Sequence, residues 1–140
     1  MRNATEANVE LARRFYALWN TGGVEAVTEQ LVAPDLVFYD IPEVPDGGIF
    51  RGAQAFAERL RAITEGLSHM QFEVRSLEER GDYVLATVVM RAEGATSGVK
   101  GAAPQFHVSR WTEGRLREFR AYLDSNQARE EYQRLSTQSD

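Results

Sequence analysis

Residues 105–124 read QFHVSRWTEGRLREFRAYLD, two alternating apolar and polar runs joined by Glu113-Gly114. Period-two alternation is the pattern of a half-buried strand, and a two-residue linker ending in Gly is hairpin chemistry. Residues 105–112 and 115–124 are therefore expected to pair antiparallel. A two-residue turn sets Gln105 opposite Tyr122 and His107 opposite Arg120, with Asp124 diagonal to Gln105 on the same face. That register holds only without a bulge, because one extra residue turns every later side chain over.

Upstream of this hairpin, Met70, Phe72 and Val74 alternate, and residues 83–90 form a long β run entered through Arg80-Gly81-Asp82. Residues 94–104, rich in Gly, Ala, Thr and Ser, read as a flexible connection. The first half has the other period. Leu11, Ala12, Phe15, Tyr16, Leu18 and Trp19 make one face of a helix, with Asn3 and Glu6 as a capping box and Gly22-Gly23 as its stop. Val24, Val27 and Leu31 predict a second helix ended by Pro34, and residues 36–41 a short strand. After a turn-rich loop over 42–48, Ala53, Phe56, Leu60 and Ile63 mark a third helix ending near Gly66. A terminal helix over 127–135 precedes a frayed tail, 136–140. Helices followed by antiparallel strands predict an α+β fold. Three N-terminal helices would cover a curved, mostly antiparallel sheet, leaving a cone-shaped barrel with a short C-terminal helix. One domain spans 1–140, with its core over about 9–132.

The 140 residues are 43% hydrophobic and 26% charged, with a net charge of -5. Those proportions are globular, and the acidic balance supplies no basic footprint for nucleic acid or an anionic membrane. There is no cysteine, which removes disulfides and thiolate chemistry together. With no apolar leader and no run of membrane-spanning length, the sequence predicts a soluble, cytoplasmic protein. Its two histidines, His69 and His107, lie far apart, so no metal site is expected. The glycine-rich stretch 94–101 lacks the Gly-Lys-Ser/Thr ending of a phosphate loop, and no cofactor is expected.

Three stretches carry a resemblance: RFYALWNTG at 14–22, Phe50-Arg51-Gly52 leading into a helix, and FRAYLD at 119–124. With the order of elements, they resemble the SnoaL-like family of the nuclear transport factor-like, ketosteroid isomerase-like superfamily. The resemblance implies a cone around an apolar pocket and a homodimer. It also implies chemistry drawn from isomerases, cyclases, epoxide hydrolases or non-catalytic binders. In the isomerases the base is an aspartate on the first strand, a position matched by Asp40. Their oxyanion-hole positions look like Phe15, which donates no hydrogen bond, and His107. The limonene epoxide hydrolases' acidic pair and arginine look like Arg91, Glu93 and Asp124, and their water-holding positions like Phe38 and Asp40. The polyketide cyclases' acid/base aspartate with polar helpers looks like Asp124 with Gln105 and His107.

Each candidate has a second reading. Asp40, sharing a face with Leu36 and Phe38, is either a general base or a strand-end residue binding backbone amides. His107 either donates to a developing enolate or sits on the outer sheet face. Asp124 is catalytic or caps the terminal helix. Arg91 and Glu93 bind substrate or form a surface pair. Phe15, Trp19, Phe38, Phe56 and Phe72, with Tyr16, Leu60, Gln105 and Tyr122, line a pocket for a hydrophobic small molecule or fill a closed core. Two functions follow: cofactor-free acid/base catalysis on a hydrophobic carbonyl, polyketide-like or epoxide-like compound, or a binding or dimerisation module. In the second, Trp111, Val108 or Phe119 on the outer sheet face would form the two-fold contact.

Overall fold

The computed structural model describes residues 7–44 and 46–138. In chain order these form α1 (Asn8–Gln30), β1 (Val32–Tyr39), β2 (Ile49–Arg51), α2 (Ala53–Thr64) and β3 (Leu67–Arg80). There follow β4 (Tyr83–Gly94), β5 (Lys100–Thr112), β6 (Arg115–Tyr122) and α3 (Ser125–Gln138).

α1 buries Leu11, Ala12, Phe15, Tyr16 and Trp19 along one face. At Gly23 the backbone swings to φ 70 and ψ -161, a conformation open to glycine, and helix resumes beyond it to bury Val27. The two helices expected at this end are one element broken at the expected place. The capping pair Asn3 and Glu6 lies outside the described residues. Pro34 does not end a helix. It lies exposed within β1, in a stretch where pairing to β6 is interrupted and pairing to β2 has not begun, so its missing N–H breaks no ladder.

The six strands run in the order β2-β1-β6-β5-β4-β3, with β1 and β6 parallel and the other neighbours antiparallel. This is an α+β fold whose sheet is mixed and open: β2 and β3 end it unpaired with each other, so it is no closed barrel. Nor do three helices precede the sheet. Helices stand at the N-terminus, in the middle and at the C-terminus. The expected connection over 94–104 is shorter, because Lys100 already pairs with Glu93 and Pro104 with Val89. β6 joins β5 only from Phe106, which leaves Pro104 on a free edge where proline is tolerated.

Glu113 and Gly114 both take positive φ, at 55 and 75, and close the expected hairpin. Two pairs later the register shifts, between Arg110 and Trp111 on β5. Arg117 is the extra residue on β6, and its guanidinium holds Thr112, Asp35 and Glu113. His107 therefore faces Ala121, and Phe106 faces Tyr122. The expected pairs Gln105–Tyr122 and His107–Arg120 do not form.

This register sorts the two faces. Val84, Ala86, Val88, Trp111, Leu116, Phe119 and Ala121 pack with α1 and α2 residues in one core. Tyr83, Leu85, Val108 and Tyr122 pack under Ala128 and Tyr132 of α3. Trp111, Val108 and Phe119, expected as an outer contact between copies, are instead buried within one chain, because the first and third turn inward and α3 covers Val108. α3 also runs beyond the expected end, and Ser136, expected in a frayed tail, is buried. Asn20 fastens α1 to the edge strand β3, donating to Phe72 O at 2.8 Å and accepting from Phe72 N at 2.9 Å. No helix among the described residues is long and apolar enough to cross a membrane.

Candidate functional site

Between α1, α2 and the inner sheet face lies a cavity of about 490 Å³. Phe15, Trp19, Phe38, Phe56, Leu60 and Phe72 line it, and the same side chains pack in the core around it. Helical spacing explains the α2 contribution: Phe56, Leu60 and Ile63 share a stripe that α2 turns inward. Five charged or polar groups line this space beside the apolar wall: Asp40, Asp46, Arg59, Gln105 and His107.

Asp40 follows the last residue of β1 and is buried, with its side chain 4% exposed. Its Oδ1 accepts from Ile41 N at 2.7 Å, so the strand-end reading holds for that oxygen. Oδ2 accepts from Arg59 Nε at 2.8 Å and is 2.7 Å from Arg59 Nη2. The apolar surroundings expected for this carboxylate thus include a guanidinium. Burial alone would lower the pKa of Arg59, but hydrogen bonds and charge from Asp40 and Asp46 outweigh it and raise it. Asp46, exposed on the loop between β1 and β2, stands 3.5 Å from two of the guanidinium nitrogens.

His107 is 1% exposed and lies on the inner sheet face, which removes the alternative of an outer-face residue. Its Nδ1 is 2.7 Å from the Tyr16 hydroxyl, and its Nε2 is 3.0 Å from Gln105 Oε1. Burial pushes its pKa down to about 3, so the ring is neutral near pH 7 and carries one proton. Burial likewise raises the pKa of Tyr16, which keeps its hydroxyl proton. One arrangement pairs both nitrogens and also the Tyr16 hydroxyl proton: Tyr16 donates to Nδ1, and Nε2–H donates to Gln105 Oε1. Rings surround the histidine, with Phe119, Phe72 and Tyr16 at centroid distances of 4.8, 5.4 and 5.8 Å.

The other expected site residues are elsewhere. Tyr16 stands behind His107 and is not part of the cavity wall. Asp124 is exposed and caps α3, accepting from Gln127 N at 3.0 Å. Tyr122 turns to the α3 side because of the bulge at Arg117. Arg91 is exposed and bonds Glu73 across β3 and β4, a surface pair, though not with Glu93. Arg59 was not foreseen. A signal existed: Arg59 falls three residues after Phe56 and four before Ile63, so a charged side chain borders the apolar stripe of α2.

The profile of the SnoaL-like domain family matches residues 12–119. The chain belongs to that family. No curated protein matches it in sequence. Among solved structures, an NTF2-like protein from Burkholderia thailandensis is similar at TM-score 0.73 and 19% identity, over 89% of this chain and 98% of that one. TerC, co-crystallised with polyporic acid, is similar at TM-score 0.71 and 20% identity, over 90% and 98%. A candidate SnoaL-like polyketide cyclase from Mesorhizobium loti is similar at TM-score 0.65 and 18% identity, over 84% and 99%. At these identities the likeness is one of fold.

Proposed function

We propose that this SnoaL-like domain is a cofactor-free acid/base enzyme that moves a proton on a hydrophobic carbonyl compound, polyketide-like in character. The observation that carries this reading is a buried carboxylate, Asp40, reaching a mostly apolar cavity of about 490 Å³. That volume falls in the range of about 300–1,000 Å³ usual for small-molecule sites. A carboxylate has about four lone-pair sites. Arg59 makes two contacts with Oδ2 and Ile41 N makes one with Oδ1, which leaves Oδ1 a free lone pair. In the reaction that oxygen takes a proton from the carbon beside the carbonyl. The C–H electron pair becomes a carbon–carbon double bond and the carbonyl π pair moves onto the oxygen, giving an enolate. Asp40 then returns the proton to another atom of the conjugated system, or the enolate carbon attacks a second carbonyl of the same molecule, whose oxygen takes the proton from Asp40. Arg59 holds the carboxylate in place, and the apolar wall excludes water. The cocrystal of TerC with polyporic acid and the candidate cyclase of the same fold support this substrate class.

Incubating the protein in D2O with a panel of hydrophobic ketones tests the proposal. Wild type should place deuterium on the α-carbon of at least one ketone. Asp40→Asn should slow that exchange by about 10²–10⁴-fold while binding persists. Equal exchange by both proteins would remove Asp40 from the mechanism. A second reading is a binding module, favoured by the engagement of both Asp40 oxygens and both His107 nitrogens with protein groups. Ketone binding with no exchange by wild type is its signature.

A further inference from the structure

The chain Tyr16–His107–Gln105 is buried, and the proton transfer just described does not use it. Its polarity can nonetheless be worked out from the proton each group carries. Tyr16 has one hydroxyl proton and a packed setting, with Phe15, Phe72 and His107 rings around it. The nitrogen at 2.7 Å is the acceptor available to that proton. A neutral imidazole that accepts at Nδ1 carries its own proton on Nε2, and that proton requires an acceptor. Gln105 supplies its carbonyl oxygen at 3.0 Å. The reverse arrangement, with Nδ1–H donating to Tyr16 and the glutamine amide turned over, leaves the buried hydroxyl proton with no acceptor. Burying such a donor unpaired costs about 1–3 kcal/mol.

The remaining atom in this chain is the amide nitrogen of Gln105. Gln105 is 7% exposed and lines the cavity, and its amide nitrogen donates to no described residue. That nitrogen is also not sealed off, since the buried side-chain atoms lacking partners among the described residues are Thr28 Oγ1 and Arg120 Nε. A two-proton donor thus stands in an apolar wall beside aromatic rings. It calls for a ligand atom with a lone pair.

We propose that Gln105 is the ligand-contacting hydrogen-bond donor of the cavity, oriented by His107 and Tyr16, and that it selects apolar ring compounds carrying a bare acceptor such as a ketone or quinone carbonyl. Gln105 is a specificity residue in this scheme, and His107 and Tyr16 are positioning residues. The inference rests on the cavity being the small-molecule site proposed above, but not on turnover.

Two measurements test it. The first is nitrogen-15 NMR of His107 in the wild-type protein at pH 7. The Nε2–H tautomer, with an unprotonated, hydrogen-bonded Nδ1, is expected, and in Tyr16→Phe the Nδ1 resonance should move toward that of an unbonded nitrogen. An Nδ1–H tautomer in wild type overturns the scheme, because Gln105 would then present its oxygen. The second is calorimetric binding of 1-tetralone and of tetralin, which share a ring system and differ in the carbonyl. Gln105→Met, of similar length and without a donor, should cut the preference for tetralone over tetralin by at least about threefold, the loss of one ordinary hydrogen bond. An unchanged preference in folded Gln105→Met contradicts the proposal. The readout is binding alone. Tetralone preference without deuterium exchange keeps this inference and sinks the catalytic reading, whereas exchange without that preference does the reverse.

Discussion

Arg59 decides what kind of group Asp40 is. The pair is largely buried, with side chains 12% and 4% exposed, and removing one partner of a buried ion pair strands the other charge. Arg59→Leu should therefore lower stability by about 3–5 kcal/mol in urea denaturation, with much of that loss recovered in the double variant with Asp40→Asn. A change below about 1 kcal/mol would mean that water already solvates the pair. Asp40 was legible through the resemblance to the isomerases and because it ends a short apolar strand before Ile41-Pro42. Spacing marked the five aromatic residues as buried without deciding between a pocket wall and a closed core. Arg59 was not read, since a charged residue on a helix is most often a solvated one, and only the arrival of Asp40 across the fold gives it a buried role. His107 could be assigned to a strand but not to a side of it. The neighbours it meets depend on a register that the bulge at Arg117, ten positions away, controls.

At the level of the elements, two backbone features carry the lesson. Gly23 breaks α1 at φ 70, where an added Cβ meets nothing within 4 Å, so the cost of a side chain there is conformational strain. Gly23→Ala should destabilise by about 1–3 kcal/mol. Gly66→Ala, also in open space but without positive φ, should stay within about 1 kcal/mol of wild type or gain slightly. Equal effects in thermal unfolding would refute the strained break. Asp124 caps α3 on the far face of the sheet from the cavity, and Asp124→Ala should cost about 0.5–2 kcal/mol while ketone binding stays unchanged. Impaired binding in a folded Asp124→Ala protein would restore it as a site residue. The Glu113-Gly114 turn was readable from its residues, and so was the break at Gly22-Gly23. The bulge at Arg117 was not, because its anchors Thr112, Asp35 and Glu113 are brought together only by β1, β5 and β6. Residues 100–104 were misread for a related reason: small and polar residues suit an edge where only one neighbour pairs.

Across the whole molecule, the sheet separates an inner core with a cavity from an outer core sealed by α3. The α+β class and the α2 stripe were visible in residue periodicity, while the apolar pocket was an expectation from the family resemblance. The open sheet edge and the parallel pairing of β1 with β6 were not visible, since period two does not say which strands become neighbours. Burying neutral His107 also links the fold to pH. Its pKa is about 3 when folded, against an ordinary 6.5, so the unfolded chain binds the extra proton between those values. Stability should be full above about pH 6.5 and fall by up to about 1.4 kcal/mol per unit as pH drops toward 3. His107→Phe should lack that slope, and wild-type and variant curves that run parallel, or a His107 titration near pH 6.5, would show the ring to be solvated. The central claim is that one cavity binds a hydrophobic carbonyl compound between Asp40 and Gln105. A crystal structure with a bound hydrophobic ketone tests it most directly. The account predicts the α-carbon about 3–3.5 Å from Asp40 Oδ1 and the carbonyl oxygen about 2.7–3.2 Å from Gln105 Nε2. A ketone seated outside the cavity, or inside it with its carbonyl turned away from Gln105 and its α-carbon out of reach of Asp40, would contradict it.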